Sequence, residues 1–248
     1  MKELNNQVVL ITGGAKRIGA TIARHLHTVG MNLVIHYRHS DSMAHALQDE
    51  LNEQRPNSVL LLQADLLHVQ KLSRMIQDTV THYGRLDVLV NNASSFYPTP
   101  IGQATEPEWD DLVGTNLKAP FFLSQIAAPH LMSRHGCIIN LVDIHAERPL
   151  KSYPIYSIAK AGLTMLTKSL ARELGPTVRV NAIAPGTILW PEKDEMDEVT
   201  KQRIISHIPL KRHGDPVNIA QAVLFLIRDA EYMTGQILTI DGGRTLNQ

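Results

Sequence analysis

One cysteine stands among 248 residues, and a lone thiol excludes the disulfide framework that holds small secreted domains together. That residue, Cys137, lies in the apolar run Cys137-Ile138-Ile139-Asn140-Leu141, which reads as a buried thiol in a reducing compartment. An excess of either charge is also missing, since 24 Lys plus Arg against 24 Asp plus Glu leave a formal net charge of zero. Such a surface carries no broad electrostatic footprint for nucleic acid or an anionic membrane, so any anion site must be local. No run reaches the roughly 20 apolar residues of a membrane span, and Met1-Lys2-Glu3-Leu4-Asn5-Asn6 has no hydrophobic signal core. A cytoplasmic protein with no nucleic-acid or membrane partner is therefore expected. The 12 histidines, with pairs such as His25/His27 and His36/His39, have no convergent carboxylates or cysteines, and no metal site is expected. Repeats, linkers and low-complexity stretches are absent as well. A content of 44% hydrophobic and 19% charged residues fits a single α/β domain over residues 1–248 with a large core.

What is present is a regular alternation. Short apolar, largely β-branched runs occur at Val8–Ile11, Leu33–His36, Val59–Leu62, Val88–Val90, Ile138–Val142, Val178–Ile183 and Ile237–Ile240. Longer amphipathic stretches separate them, the first from Ile18 to Val29. Seven strands, each one crossover from the next, predict a doubly wound Rossmann-type parallel sheet. Nearly continuous apolar strands suit a sheet covered by helices on both faces. The segment 187–206, with charge concentrated in Glu192-Lys193-Asp194-Glu195, reads either as a substrate lid or as a solvated surface loop.

The turn after the first strand is Thr12-Gly13-Gly14-Ala15-Lys16-Arg17-Ile18-Gly19. Gly13 permits the tight turn and Gly19 lets helix and strand pack closely. The N–H groups and dipole at the helix start then favour a pyrophosphate. Arg17 replaces the middle glycine of the usual pattern and adds a permanent cation beside Ile18. The second strand ends in His36-Tyr37-Arg38-His39-Ser40, with no acid to hold the ribose hydroxyls of NAD. Arg38 offers a fork for phosphate, Ser40 a hydroxyl and Arg17 a second charge, so the expected cofactor is NADPH. Asp41 reads as a helix-start residue. Asp65, in Gln63-Ala64-Asp65-Leu66, is expected to accept from the adenine amino group. Asn92, Ala93 and Ser94 close the fourth strand at the sheet edge where such folds bind ligands, and Phe96 offers a flat face to a planar ring. Tyr37, His39, Leu66, Tyr156, Lys160, Pro185 and Gly186 complete the expected cofactor contacts, Lys160 at the nicotinamide ribose.

The expected catalytic set is Asn116, Asp143, Tyr156 and Lys160. A spacing of four places Tyr156 and Lys160 on one helix face. A tyrosine with a pKa of ~10 is a slow acid at neutral pH, and a nearby ammonium is expected to lower that value. Asn116 is expected to fix a water or a helix carbonyl along a proton path. The carboxyl group of Asp143, at the end of the fifth strand, points to a substrate recognised and protonated at nitrogen.

With these motifs the chain resembles the short-chain dehydrogenase/reductase superfamily from Val8 to Gly243. Within it the chain is most similar to the pteridine reductases. Three features carry that resemblance together: Arg17 in Thr-Gly-x-x-x-Arg-x-Gly, the loop Asn92-Ala93-Ser94-Ser95-Phe96, and Asp143 where relatives carry serine. The resemblance implies that Phe96 and the nicotinamide sandwich a pterin, that Ser94 touches both cofactor and substrate, and that Arg17 helps to bind both phosphate and pterin. Gly186 and Trp190 are expected beside the substrate, Trp190 as a pocket wall. The resemblance also implies a homotetramer built on two long helices. Hydride would go to C7 or C6 of a pterin or folate, with Tyr156 and Asp143 sharing and relaying the proton. Two other readings stand beside this one. One is an NADPH-dependent carbonyl reductase such as a 3-oxoacyl carrier-protein reductase, which would normally carry serine at 143 and glycine at 94. The other is a non-catalytic nucleotide-sensing module, which the intact Asn116, Tyr156 and Lys160 disfavour.

Overall fold

Val8–Ile11 (β1) has no exposed side chain on either face, as a strand buried between two helix layers requires. It leads through the glycine turn into Arg17–Thr28 (α1), whose buried residues Gly19, Ala20, Ile22, Ala23 and Leu26 form one stripe. The pattern repeats through Asn32–Tyr37 (β2), Asp41–Gln54 (α2), Val59–Gln63 (β3), Val69–Tyr83 (α3) and Val88–Asn91 (β4). Glu106–Val113 (α4) then passes through a π-helical segment, Gly114–Lys118, into Ala119–Met132 (α5). Cys137–Leu141 (β5), Pro154–Leu174 (α6), Arg179–Pro185 (β6), Glu198–Ser206 (α7), Pro216–Arg228 (α8) and Ile237–Ile240 (β7) complete the chain. The structure, a computed structural model, describes residues 3–190 and 196–247.

The strands form one sheet of seven in the order β3-β2-β1-β4-β5-β6-β7, and every pairing is parallel. The expected doubly wound α/β architecture is therefore present, with the strands where the apolar runs put them. Small differences lie at the ends: β2, β3 and β4 each run on to one further residue, Tyr37, Gln63 and Asn91. Those polar ends reach the carboxyl edge of the sheet, where ligands bind in such folds. Strand β7 is the least buried, as an edge strand is. One core layer joins Ile11, Leu26, Leu33 and Val223; the other joins Leu10, Leu72, Leu89, Leu123 and Leu131. Cys137 is buried in the first. Among the described residues no helix is long and apolar enough to cross a membrane.

Between β1 and β4 the winding reverses, and a crevice opens beyond their carboxyl ends. His36 braces it from β2. Its Nδ1 accepts from the Gly13 N–H at 3.1 Å, which leaves Nε2 to donate to the Ala64 carbonyl at 3.1 Å. One neutral imidazole thus joins the glycine turn to the end of β3. Burial lowers the His36 pKa from 6.5 to about 4, against smaller opposing effects of the Ala64 hydrogen bond and the Asp65 charge.

Above pH 6.5 neither folded nor unfolded chain protonates this imidazole. Between 6.5 and about 4 the unfolded chain binds the proton and the folded one does not, so stability falls as the pH falls. The full contribution is roughly 3 kcal/mol. In denaturant titrations of wild type and His36→Asn, the stability gap is expected to narrow by about that amount from pH 7 to 4. Parallel curves would show that His36 does not carry this dependence.

Candidate active site

The crevice is assembled by side chain to backbone bonds between distant turns. Asn92 Nδ2 donates to the carbonyls of Thr12 and Gly13, each at 2.9 Å, while Thr12 Oγ1 accepts from the N–H groups of Asn92 and Ala93, each at 3.0 Å. Gly13 adopts φ +60°, and a Cβ on Gly19 would lie 2.3 Å from the Gly13 carbonyl oxygen. Both glycines are thus required by geometry, as the motif implied. The N-cap residue of α1, Lys16, makes no side-chain cap bond, and the first helical residues Arg17 and Ile18 line the crevice, the place where a helix start favours an anion. A cavity of about 480 Å³ follows this cradle. It is lined by Gly13, Arg17, Ile18 and Gly19, by Tyr37 to Ser40, by Asp65 and Leu66, and by Asn92, Ala93 and Ser94. The expected dinucleotide residues of the first half of the chain are therefore brought together. The glycine cradle and this donor set fit a dinucleotide.

Charges in this cavity are partly spoken for. Arg38 pairs with Asp65 at 3.0 Å and lies 3.9 Å from Asp111. Asp65, expected to meet an adenine, therefore faces Arg38 and also caps the Leu67 N–H at 3.0 Å. Asp41 is the first residue of α2, as expected, and accepts from the Tyr37 hydroxyl at 2.8 Å.

A second cavity of about 540 Å³ shares Arg17, Ile18, Asn92 and Ser94 with the first. Its walls hold Phe96, Asp143, Tyr153, Tyr156, Lys160, Pro185, Gly186, Trp190 and Arg244. A buried ladder positions its two central elements: Asn91 Nδ2 to Asn140 Oδ1 at 2.8 Å, then Asn140 Nδ2 to Thr167 Oγ1 at 2.9 Å. It ties β4 to β5 and β5 to α6, and so sets Asp143 against Tyr156. The Tyr156 hydroxyl donates to Asp143 Oδ2 at 2.8 Å, and Asp143 Oδ1 accepts the His145 N–H at 2.8 Å. Lys160 Nζ donates to the Leu141 carbonyl at 2.8 Å and lies 5.7 Å from the centre of the Tyr156 ring.

The electrostatics correct one expectation. The Tyr156 pKa is raised well above 10, first by burial, then by the Asp143 charge and hydrogen bond, with only the Ser94 hydroxyl acting downward. The ammonium does not offset this rise, because Lys160 faces the ring and is committed to a carbonyl. Lys160 itself is pushed down to about 8 by burial, partly offset by Asp143.

Asn116 is fully buried in the π-helical segment, an irregularity frequent at functional sites. Its amide donates to the carbonyls of Leu112 and Ser95, each at 2.9 Å, and its Oδ1 accepts from Ser94 Oγ at 2.6 Å. It thus holds a helix carbonyl, one of its two expected roles, and also anchors the Ser94 loop. Phe96 is 46% exposed and lines the cavity. One of its faces stacks on Tyr153, with centroids 4.6 Å and planes 15° apart. Tyr153 escaped the sequence reading, although its place three residues before Tyr156 could have suggested it. Trp190 forms a wall, as expected, and its carbonyl accepts from Arg17 Nη2 at 3.0 Å. Of the 187–206 segment, Thr187 to Trp190, Met196 and Ile204 line the cavity, while residues 191–195, and with them the charged run Glu192-Lys193-Asp194-Glu195, lie outside the described residues. Arg244, in the same cavity wall, also escaped, having no local signal in the sequence.

Comparison with known proteins places this geometry in a family context. A family model described as enoyl-(acyl carrier protein) reductase matches residues 13–245. Pteridine reductase 1 of Leishmania tarentolae is 34% identical over 282 aligned positions, covering 97% of each chain. The 3-oxoacyl-(acyl-carrier-protein) reductase FabG of Staphylococcus aureus is 37% identical over 237 positions, covering 94% of this chain and 96% of that protein. That of Staphylococcus epidermidis is 36% identical over 241, covering 96% and 98%.

Replacing Asp143 by Asn removes a negative charge next to the Tyr156 hydroxyl but keeps an acceptor. In ultraviolet titration of tyrosinate, one tyrosine of Asp143→Asn should therefore ionise at least roughly one pH unit below its wild-type counterpart. Superimposable titrations would remove Asp143 as the source of the field.

Proposed function

Since the chain belongs to the short-chain dehydrogenase/reductase superfamily and is an NAD(P)-dependent reductase of that type, we propose that it reduces pterins with NADPH. The observation that carries this reading is the carboxylate of Asp143 hydrogen-bonded to the buried hydroxyl of Tyr156. A ketone reductase must stabilise negative charge developing on oxygen, and donors do that. A carboxylate at this place would oppose it. Conversely, the amidine-like edge of a pterin presents N–H donors that a carboxylate accepts in charge-assisted bonds. Phe96, Tyr153 and Trp190 give the same cavity the flat apolar walls that a bicyclic ring needs.

Bound NADPH supplies the hydride. Arg17, Arg38 and Ser40 line its cavity in a group suited to the 2′-phosphate, and no acid from the end of β2 competes for the ribose. Lys160 holds ribose hydroxyls and keeps a positive charge beside Tyr156. Tyr156 and Asp143 carry one proton between them and pass it to the ring nitrogen. Asn116 holds Ser94, and with it the loop that bears Phe96, at the junction of the two cavities. The Staphylococcus relatives favour a second reading, reduction of 3-oxoacyl thioesters. A homotetramer would bury Phe121 on α5 and Ile158 and Met165 on α6, which are exposed in one chain. A reducing cytoplasm fits the single free thiol, Cys137.

NADPH oxidation measured with dihydrobiopterin, dihydrofolate and an acetoacetyl thioester separates the two readings. The pterins are expected to exceed the thioester in kcat/KM by roughly 100-fold or more. Asp143→Ser should lose roughly 100-fold or more of pterin turnover, the usual scale of a general acid–base partner. Preference for the thioester by wild type would defeat the proposal. Because kcat/KM reports free-enzyme groups and Lys160 loses its proton near pH 8, kcat/KM should fall as pH rises through about 8. A profile flat from pH 7 to 9 would show that the Lys160 charge is not needed.

A further inference from the structure

Among the described residues, the second cavity is lined by three cations, Arg17, Lys160 and Arg244, and by one carboxylate, that of Asp143. The mechanism uses the first two. Arg17 meets the Trp190 carbonyl and borders the dinucleotide cavity, and Lys160 meets the Leu141 carbonyl. Arg244 has no part in either task.

Its placement is built rather than incidental. Asp241, at the end of β7, accepts the Gly243 N–H on Oδ1 at 2.8 Å and the Thr245 N–H on Oδ2 at 2.7 Å. Between them Gly242 and Gly243 adopt φ +64° and +87°, a left-handed pair that turns the chain back toward the sheet edge. Arg244 follows at the start of a short 3₁₀ turn and lines the same cavity as Asp143 and Tyr156. The Thr187 hydroxyl, 57 residues away, accepts from its Nη1. A guanidinium has five N–H donors in a fixed fork. Among the described residues, Thr187 is the one hydrogen-bond acceptor it meets. Half-buried donors left without acceptors are costly, and a ligand acceptor relieves that cost. Burial lowers the Arg244 pKa, while the fields of Asp143 and Asp241 raise it.

Resting on the pterin reading above, we propose that Arg244 determines substrate specificity: its guanidinium receives a hydrogen-bond acceptor, hydroxyl or carboxylate, on the side chain that projects from the reduced ring. The alternative is that Arg244 only positions the charge of Asp143. The two differ in what they make depend on the tail. A tail contact changes KM for substrates that bear an acceptor, whereas a positioning role changes kcat for every substrate and moves the Tyr156 titration.

The test compares wild type, Arg244→Met and Arg244→Lys on three substrates with NADPH. Dihydrobiopterin carries hydroxyls, dihydrofolate carries carboxylates, and 6-unsubstituted dihydropterin has no tail. Arg244→Met is expected to lower the ratio of kcat/KM for a tailed substrate to that for the tail-less one by roughly 10- to 100-fold, mainly through KM. Arg244→Lys, which keeps the charge without the fork, is expected to recover part of it. A fall in the biopterin ratio identifies the hydroxyl tail, and a fall in the folate ratio identifies the carboxylate tail. Unchanged ratios, or a common loss of kcat with a shifted Tyr156 titration, would overturn the proposal while leaving pterin reduction intact. Failure of wild type to reduce any of the three, with the thioester turned over, would instead remove the pterin reading and the tail contact together.

Discussion

The buried ladder Asn91–Asn140–Thr167 governs the alignment on which the site depends. Polar side chains in a sheet interior are tolerated only when their hydrogen bonds are met. Here each amide meets its partner across a gap that must have one register. Sliding β5 against β4, or rotating α6 on the sheet, would leave buried amides unpaired. The ladder therefore does for the catalytic elements what apolar packing alone does less specifically. Asp143 extends from β5, Tyr156 and Lys160 lie on α6, and Ser94 follows β4, so their relative positions descend from the same bonds.

On that alignment rests a cavity whose buried groups depart from their ordinary behaviour. Burial holds Tyr156 protonated and pulls the Lys160 proton toward release, and Asp143 reinforces the first effect while resisting the second. The same carboxylate thus acts on both neighbours. The Tyr156 hydroxyl donates to Asp143, so the two oxygens share one proton path. On the proposed reduction of pterins, a family fold that serves many reductions is adapted at one position, where a carboxylate acceptor turns the cavity from oxygen toward nitrogen.

The relatives illustrate how little the fold itself says about substrate. Pteridine and 3-oxoacyl reductases match this chain at 34% and 37% identity over nearly the whole length. Identity spread over a common sheet reports the scaffold. Substrate choice belongs to the site rather than to the fold, and at the carboxyl edge of this chain Asp143, Phe96 and Arg244 meet in one cavity.

Much of this was legible in the residues alone. Strands covered on both faces are apolar throughout, so their runs marked the seven strands to within a residue or two at most ends. The glycine turn and the Tyr156–Lys160 spacing follow from local backbone geometry, which neighbouring residues dictate. Asp143 was legible as chemistry because a carboxylate in a serine's place changes what the site can bind. The rest needed the folded chain. Tyr153 against Phe96, Arg244 at Thr187, and His36 beneath Gly13 are contacts between residues far apart in sequence, and no local pattern encodes them. The direction of the Tyr156 shift was misread for the same reason. A spacing of four places an ammonium near a tyrosine, but only burial and the full set of partners decide whether its charge reaches the hydroxyl.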